Sequence, residues 1–177
     1  MSRRIRLLLV RHGATSWSAT QRLNGWTDVP LSSDGRRQAR RLRPIIEAAR
    51  PGVVYSSDLV RARETAEIAG CAAKLDARLR EFNFGSWEGR RWEEIPAHDQ
   101  EALLAFDGIK APAGEAMVSF RQRIRSFLRD LEVERCVVVT HGGVIRAISR
   151  SIGGRDPHVL PGAHAEVILS LPEMLEP

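Results

Sequence analysis

The chain has 177 residues, of which 43% are hydrophobic and 28% charged, which excludes a disordered polymer and fits one globular domain over residues 1–177. The formal net charge is +5, and the 27 basic residues are all arginines except Lys74 and Lys110. Arginine matches the paired oxygens of phosphate and carboxylate groups, so this balance favours anionic partners. Codon composition is a sufficient reason for most of these arginines, and those at strand ends are the functional candidates.

The two cysteines, Cys71 and Cys136, have neither metal-ligand spacing nor the number that a disulfide framework needs. Each is expected to be a small buried hydrophobe in a reducing cytoplasm. The start MSRRIRLLLV is interrupted by Arg6 and is too short for a secretion signal. No run approaches the roughly 18 apolar residues of a membrane span, so no membrane partner is expected.

Short apolar strands alternate with amphipathic helices along the chain. Strands are predicted at 5–10, 53–57, 74–76, 136–140 and 165–171, helices at 31–49, 59–70, 117–131 and 144–152, and loops at 13–31 and 79–89. Pro44 should kink or interrupt the first helix, and Asp58 is a candidate cap of the second. This alternation predicts an α/β sheet that is parallel at least in its centre.

Polar residues follow three of these strands where each strand ends. Arg11-His12-Gly13 ends the first, Ser56-Ser57-Asp58 the second, with Arg61 one turn later, and Thr140-His141-Gly142-Gly143 the third. Parallel strands bring such ends to one edge of the sheet. Arginine forks and helix N-termini bind phosphoryl oxygens, and a neutral imidazole attacks phosphorus to form a phosphohistidine. Because arginines supply the positive charge, we expect no metal and no other cofactor.

Five segments resemble successive motifs of the histidine phosphatase superfamily, also called the phosphoglycerate mutase-like family. They are LLLVRHGATSW (7–17), NGWTDVPLSSDGRRQA (24–39), SSDLVRARETA (56–66), LREFNFGSWEG (79–89) and VVVTHGGVIRA (137–147). The RHG triplet alone would be weak evidence for this family, but five motifs in the family's order are specific for it. The resemblance covers about residues 5 to 150, and the segment from 151 onwards has no diagnostic motif. It implies a three-layer α/β sandwich, with a mostly parallel central sheet flanked by helices on both faces.

The resemblance also implies roles for five residues. His12 would be the nucleophile that carries the phosphoryl group, and Arg11 and Arg61 would bind that group. His141 would complete the pocket and stabilise charge in the transition state. Glu81 would protonate the leaving group and later activate water, although Glu88 of the same motif could be confused with it. We interpret Glu88 as structural, because the family's acid precedes the aromatic-Gly segment.

Further substrate-binding positions are implied at Thr15, Ser18, Asn24, Gly25 and Gly142. Two residues depart from the pattern: Ala14 stands where Glu or Gln is common, and Ser18 where Asn is usual. Ala14 is expected to be harmless, whereas Ser18 weakens one polar contact to the phosphoryl group or the neighbouring loop.

Other polar residues are expected to have ordinary roles. Arg63 is interpreted as a surface residue, and the run Arg36 to Arg43 as a solvated helix face. RNA binding by that run is disfavoured because no stacking aromatic residues are interleaved with it. His98, His158 and His164 are expected to lie in loops or face solvent.

The segment from Glu88 to Gly114 separates the two main activities of the family. Mutases that resemble the chain have a longer insertion there with extra basic residues, whereas this segment has only Arg90, Arg91 and Lys110. The resemblance therefore favours a phosphoric monoester hydrolase of the histidine acid phosphatase type. Within the phosphatases, the chain most resembles the alpha-ribazole phosphatases of cobalamin assembly. That group has no sharp boundary with the broad-specificity phosphatases.

The expected partner is a small anionic phosphomonoester, with no nucleic acid, and the chain is expected to be a monomer or a homodimer. The alternatives are a cofactor-dependent phosphoglycerate mutase and a phosphate- or RNA-binding module whose catalysis has lapsed.

Overall fold

The fold is built around a five-stranded mixed sheet in the order β3-β2-β4-β1-β5. The computed structural model describes residues 3–152 and 159–171. The strands are β1 (Arg3–Arg11), β2 (Val53–Ser56), β3 (Lys74–Leu75), β4 (Arg135–Thr140) and β5 (His164–Leu171). All neighbouring strands are parallel except β5, which runs antiparallel to β1. The predicted α/β class and parallel centre are confirmed.

Helices cover both faces of the sheet. The α-helices are α1 (Ser16–Ala19), α2 (Ser33–Ala49), α3 (Val60–Ile68), α4 (Ala97–Ala105), α5 (Met117–Arg129) and α6 (Gly142–Ser151). Alternate residues of β1 point to opposite faces. Leu8 and Val10 pack in the cluster that contains α2 and α3, whereas Leu7 and Leu9 pack with α5 and α6. This burial on both sides is why Leu7 to Val10 form an uninterrupted apolar run within β1, and it confirms the three-layer sandwich.

Of the predicted kink or interruption at Pro44, the interruption is wrong, because α2 continues through this residue to Ala49. Pro44 is exposed, and so is Arg40, whose carbonyl would have accepted the N–H that proline lacks. Solvent can bind that carbonyl, while Leu42 and Ile46 on the opposite side hold the helix against the sheet. Burial of this apolar stripe outweighs the lost hydrogen bond.

The predicted cap at Asp58 is also wrong. Leu59 occupies the N-cap position of α3 without a side-chain hydrogen bond, and Asp58 instead forms an ion pair with Arg80 at 2.6 Å. Asp28 Oδ1, from a distant loop, accepts the N–H of Val60 at 2.6 Å. A charged partner close in space has displaced the local capping interaction.

Two of the predicted irregular regions contain short helices. Helix α1 lies within the loop expected over 13–31, and a 3₁₀ turn at Gly85–Trp87 lies within the loop over 79–89. Helix α4 follows in the segment for which no element was predicted. Cys136 is buried as expected, whereas Cys71 is only half-buried.

His98 and His164 are exposed, as predicted, and His158 lies outside the described residues. Within the two described ranges, no helix is long and apolar enough to cross a bilayer.

Candidate active site

The carboxyl ends of β1, β2 and β4 meet at one edge, as their parallel order requires. Arg11 is in register with Thr140, and the N–H of His12 donates to the Thr140 carbonyl at 2.9 Å. His141 follows as the N-cap of α6. The His12 and His141 ring centroids are therefore 5.0 Å apart, although 129 residues of chain separate them.

The ring of His12 is held in one orientation by two contacts. Its Nδ1 lies 2.7 Å from the carbonyl oxygen of Gly13, which only accepts hydrogen bonds, so Nδ1 carries the proton. Its Nε2 then has a lone pair, to which Arg61 Nε donates at 3.3 Å. The nitrogen that could attack phosphorus is thus unprotonated and faces a guanidinium.

Burial strongly affects the charge of both histidines. Burial lowers the pKa of His12 well below its ordinary value of 6.5, and the positive charges of Arg61 and Arg11 lower it further. The same causes, burial first and then Arg61, lower the pKa of His141 well below 6.5. Both rings are therefore neutral at pH 7, as nucleophilic attack by His12 requires.

This burial predicts a pH-dependent stability. Below pH 6.5 the unfolded chain binds protons at these histidines while the folded chain does not, so the free energy of unfolding falls as the pH falls. The expected slope is about 1.4 kcal/mol per pH unit for each buried histidine. Urea unfolding at pH 7.5 and 5.5 should show a smaller loss for His12→Asn than for the unmodified chain.

His164→Asn is the matched control, because the side chain of His164 is exposed and forms no ion pair among the described residues. It should lose as much stability between the two pH values as the unmodified chain. Equal losses in all three proteins would show that His12 is protonated in the folded state.

His141 is buried with one ring nitrogen paired and the other unpaired. Its Nε2 lies 2.9 Å from Ser57 Oγ, whose oxygen accepts the N–H of Leu59 and whose O–H can donate to Nε2, so that Nδ1 carries the ring proton. Its Nδ1 is buried without a partner among the described residues. Such groups are normally satisfied, so an unpaired nitrogen beside His12 indicates a place for a ligand.

Arg61 is completely buried on α3, and its side chain donates four hydrogen bonds to other described residues. Besides Nε to His12, its terminal nitrogens donate to the carbonyls of Thr27 at 3.1 Å, Asn24 at 3.3 Å and Gly25 at 2.6 Å. Burial lowers its pKa to about 10, against the opposing charge of Glu81, so it stays positively charged at neutral pH. The loop at 24–27 thus fixes the cation that faces His12.

Arg11 lies partly buried at the floor of an adjoining cavity. One terminal nitrogen donates to the carbonyl of Val159 at 2.8 Å, while the buried Nε has no partner within the described ranges. Burial lowers the pKa of Arg11, and the charge of Glu81 opposes that change. Together with Gly142 and Glu81, this arginine lines a cavity of about 230 Å³.

Glu81 is 9% exposed and fixed by two backbone donors. Oε1 accepts the N–H of Phe82 at 2.8 Å, and Oε2 accepts the N–H of Gly143 at 3.0 Å. A Cβ at Gly143 would stand 2.1 Å from Oε1, so only glycine permits this approach. In the sequence, the second glycine of the Gly142-Gly143 pair was the feature that indicated a close approach to the backbone at this point.

The substrate-binding residues predicted in the first loop have different surroundings from one another; they are Thr15, Ser18, Asn24 and Gly25. Thr15 is buried, and it and Ser18 pair with each other across the start of α1. The N–H of Thr15 donates to Ser18 Oγ at 2.7 Å, and that of Ser18 to Thr15 Oγ1 at 3.1 Å. The amide oxygen and nitrogen of Asn24 are buried and unpaired within the described ranges. Gly25 leaves no room for a side chain, because a Cβ would lie 2.5 Å from the carbonyl of Phe82.

Glu88 contacts the loop rather than the histidines. Its carboxylate accepts the N–H of Trp26 at 2.7 Å and the N–H of Thr27 at 2.6 Å. This geometry agrees with its interpretation as structural, since Thr27 in turn binds Arg61.

Arg123 on α5 supports the site and was not singled out from the sequence. It donates to the carbonyls of Arg78, Arg80 and Glu81 at 2.6–2.8 Å and forms an ion pair with Glu115 at 2.7 Å. It therefore fixes the backbone that carries Glu81. A signal existed, because Arg123 lies three residues after Phe120 and four before Phe127, on the apolar stripe of its helix.

This geometry agrees with the comparison to known families. A model of the histidine phosphatase superfamily (branch 1) matches residues 7–167. The chain belongs to this superfamily. The resemblance carried by the five motifs is confirmed, and the fold brings Arg11, His12, Arg61, Glu81 and His141 together in one site, although their individual roles stay predictions.

Similar proteins have both phosphatase and mutase names. The chain is 38% identical over 157 residues to phosphoglycerate mutase-like protein 4 of Arabidopsis thaliana, covering 80% of the chain and 68% of the relative. It is 36% identical over 166 residues to glucosyl-3-phosphoglycerate phosphatase of Mycobacterium tuberculosis (strain H37Rv), covering 83% of the chain and 74% of the relative. A solved phosphoglycerate mutase from Thermus thermophilus superposes with a TM-score of 0.84 at 44% identity, covering 92% of each chain.

Proposed function

We propose that the protein hydrolyses a small phosphomonoester through a phosphohistidine intermediate on His12. The observation that carries the proposal is the unprotonated Nε2 of a buried, neutral His12, held against the Nε of Arg61. The unpaired polar atoms of Arg11 and His141 lie in the same site. A phosphoryl group bound there would provide acceptors for the guanidinium donors and for an Nδ1–H of His141.

In the first step, His12 Nε2 attacks phosphorus and the bond to the ester oxygen breaks. The electron pair of that bond goes to the departing oxygen, which takes a proton from the carboxylic acid form of Glu81. In the second step, a water molecule attacks phosphorus and gives a proton to the Glu81 carboxylate, while the bond from phosphorus to Nε2 breaks and its electron pair returns to His12. Inorganic phosphate leaves, and His12 and Glu81 return to their starting states.

The Arg11 and Arg61 charges support a reaction without a metal, since both can neutralise the developing negative charge. Within the described ranges, no three His, Cys, Asp or Glu side chains are grouped to hold a metal ion. We also propose that the protein does not bind nucleic acid and that it is either a monomer or a homodimer. The two free cysteines support a reducing, cytoplasmic location.

Hydrolysis is favoured over mutase activity by the wall of the cavity. Among the described residues that line it, Arg90, Arg91 and Lys110 are absent, and the basic side chains present are Arg11, which would bind the transferred phosphoryl group, and Arg146, which stacks on Phe106. A bisphosphorylated sugar acid would need cations for a second phosphate, whereas water needs none. We propose alpha-ribazole 5′-phosphate as a candidate substrate on the motif resemblance.

The deciding experiment is phosphate release in EDTA from 4-nitrophenyl phosphate, alpha-ribazole 5′-phosphate and 3-phosphoglycerate. We expect release from at least one ester, a trapped acid-labile phosphoenzyme, and loss of both in His12→Asn. His98→Asn, which changes an exposed histidine, should behave like the unmodified protein.

Isomerisation of 3-phosphoglycerate primed by 2,3-bisphosphoglycerate, without net phosphate release, would identify a mutase instead. Full hydrolytic activity of His12→Asn would overturn the phosphohistidine mechanism. Phosphate binding with neither reaction would identify a lapsed binding module.

A further inference from the structure

We propose that the 230 Å³ cavity beside Glu81 binds the alcohol part of the substrate, and that this alcohol is a compact apolar or aromatic group. The inference rests on the proposed function, because it assigns the leaving group of that same reaction. It adds a substrate class that the motifs leave open.

The position of the cavity assigns it to the leaving group. Arg11, Glu81, Gly142 and Gly143 form part of its lining, so it opens directly from the groups proposed to bind and protonate the ester. An alcohol leaving His12 in line must lie on the side of Glu81, which gives its oxygen a proton. The cavity is contiguous with that acid.

The chemistry of the remaining wall is mainly apolar. The side chains come from separate segments of the chain: Leu23, Phe84, Trp92, Leu103, Phe106 and Val159. Beyond Arg11, the basic residue among the described lining residues is Arg146. The guanidinium of Arg146 lies 4.8 Å from the Phe106 ring centroid and donates to the Leu104 carbonyl at 2.8 Å. Arg146 therefore completes the cavity wall by stacking on the ring of Phe106.

The aromatic wall is held in place before any ligand binds. The Phe84 ring lies 5.4 Å from that of Phe82, and the Phe106 ring 5.6 Å from that of Phe120, both as tilted or edge-to-face pairs. Fixed rings lose little freedom on binding, which favours a flat apolar partner. The volume of 230 Å³ lies below the roughly 300–1,000 Å³ of common ligand pockets, which indicates a compact group.

The test uses three esters of primary alcohols, so that all have similar leaving groups: 3-phenylpropyl phosphate, propyl phosphate and glycerol 3-phosphate. We expect kcat/KM to be about 10-fold to 200-fold higher for the phenylpropyl ester than for the glycerol ester. Leu23→Ser should remove most of this preference by lowering kcat/KM more for the phenylpropyl ester than for the glycerol ester. Leu23 is only partly buried, so the variant is expected to fold.

Leu104→Ser is the matched control, because Leu104 is 67% exposed and is not among the described lining residues. It should keep the preference, and thermal unfolding should show all three proteins folded. Equal rates for the three esters, or a preference that Leu23→Ser leaves intact, would overturn the inference while leaving the proposed hydrolysis standing.

If no ester releases phosphate, the proposed hydrolysis fails and equilibrium binding of the same three esters decides the pocket. Tighter binding of 3-phenylpropyl phosphate that is lost in Leu23→Ser would support the apolar pocket. Binding that does not distinguish the esters would overturn it.

Discussion

Replacing Arg61 by methionine is expected to lower kcat/KM for a phosphomonoester by about 1,000-fold to 100,000-fold, the range found for arginines that stabilise phosphoryl transfer. Methionine has similar length but neither charge nor donors. The variant therefore loses the contact from Nε to His12 and the positive charge at the nucleophile. Steady-state phosphate release, compared with the unmodified protein in the same buffer, measures the effect.

The same substitution should also reduce stability. The carbonyls of Asn24, Gly25 and Thr27 each lose a donor, which costs about 1–3 kcal/mol for each one that water cannot reach. Circular dichroism at the assay temperature separates loss of folding from loss of catalysis. Activity should be measured where the variant remains folded.

Arg63→Met is the matched control, since Arg63 is exposed on the same helix two residues away. It should change the free energy of unfolding by less than about 0.5 kcal/mol and leave activity unaltered. A folded Arg61→Met protein with activity within tenfold of the unmodified protein would show that the buried arginine is structural only.

The contrast between these two arginines shows what the sequence alone could predict. Both lie in the stretch VRARETA, and composition treats them alike. Arg61 follows the second strand by one turn, but only the resemblance of SSDLVRARETA to a family motif distinguished it from Arg63. A local pattern, an apolar run that stops at a charged group, identified Arg11, His12 and His141.

Long-range polar contacts were not predictable in the same way. The pairing of Asp58 with Arg80 and of Val60 with Asp28 joins residues far apart in the chain, so the local capping rule selected the wrong carboxylate. At Pro44 the local rule failed because packing of α2 outweighs one missing hydrogen bond. These errors changed loop and helix details but not the sheet that positions the site.

Replacing Glu81 by glutamine is expected to lower turnover of an alkyl phosphomonoester by about 100-fold to 10,000-fold, as removal of a general acid does. The amide is close in shape to the carboxyl group but cannot donate a proton to the departing oxygen. Backbone contacts to the carbonyl of Glu81 from Arg123 and Trp26 do not involve the side chain, so the segment should stay in place.

The leaving group distinguishes acid catalysis from a structural role. 4-Nitrophenolate departs without a proton, so phosphoenzyme formation from 4-nitrophenyl phosphate in the first turnover should fall far less in Glu81→Gln than for an alkyl ester. The amide also has one acceptor oxygen where the carboxylate has two for Phe82 and Gly143. With one acceptor fewer, the side chain at position 81 could shift. Any loss of activity caused by such a shift would affect both esters equally.

Glu88→Gln completes the comparison, because Glu88 belongs to the same motif and binds the loop at Trp26 and Thr27. Weakening that loop would loosen Arg61 and slow both esters to the same extent. If Glu88→Gln instead shows the selective loss with the alkyl ester, Glu88 is the proton donor and the role proposed for Glu81 is wrong. Selective loss in Glu81→Gln alone would mean that the carboxylate held by the Gly143 N–H is the group that protonates the departing alcohol.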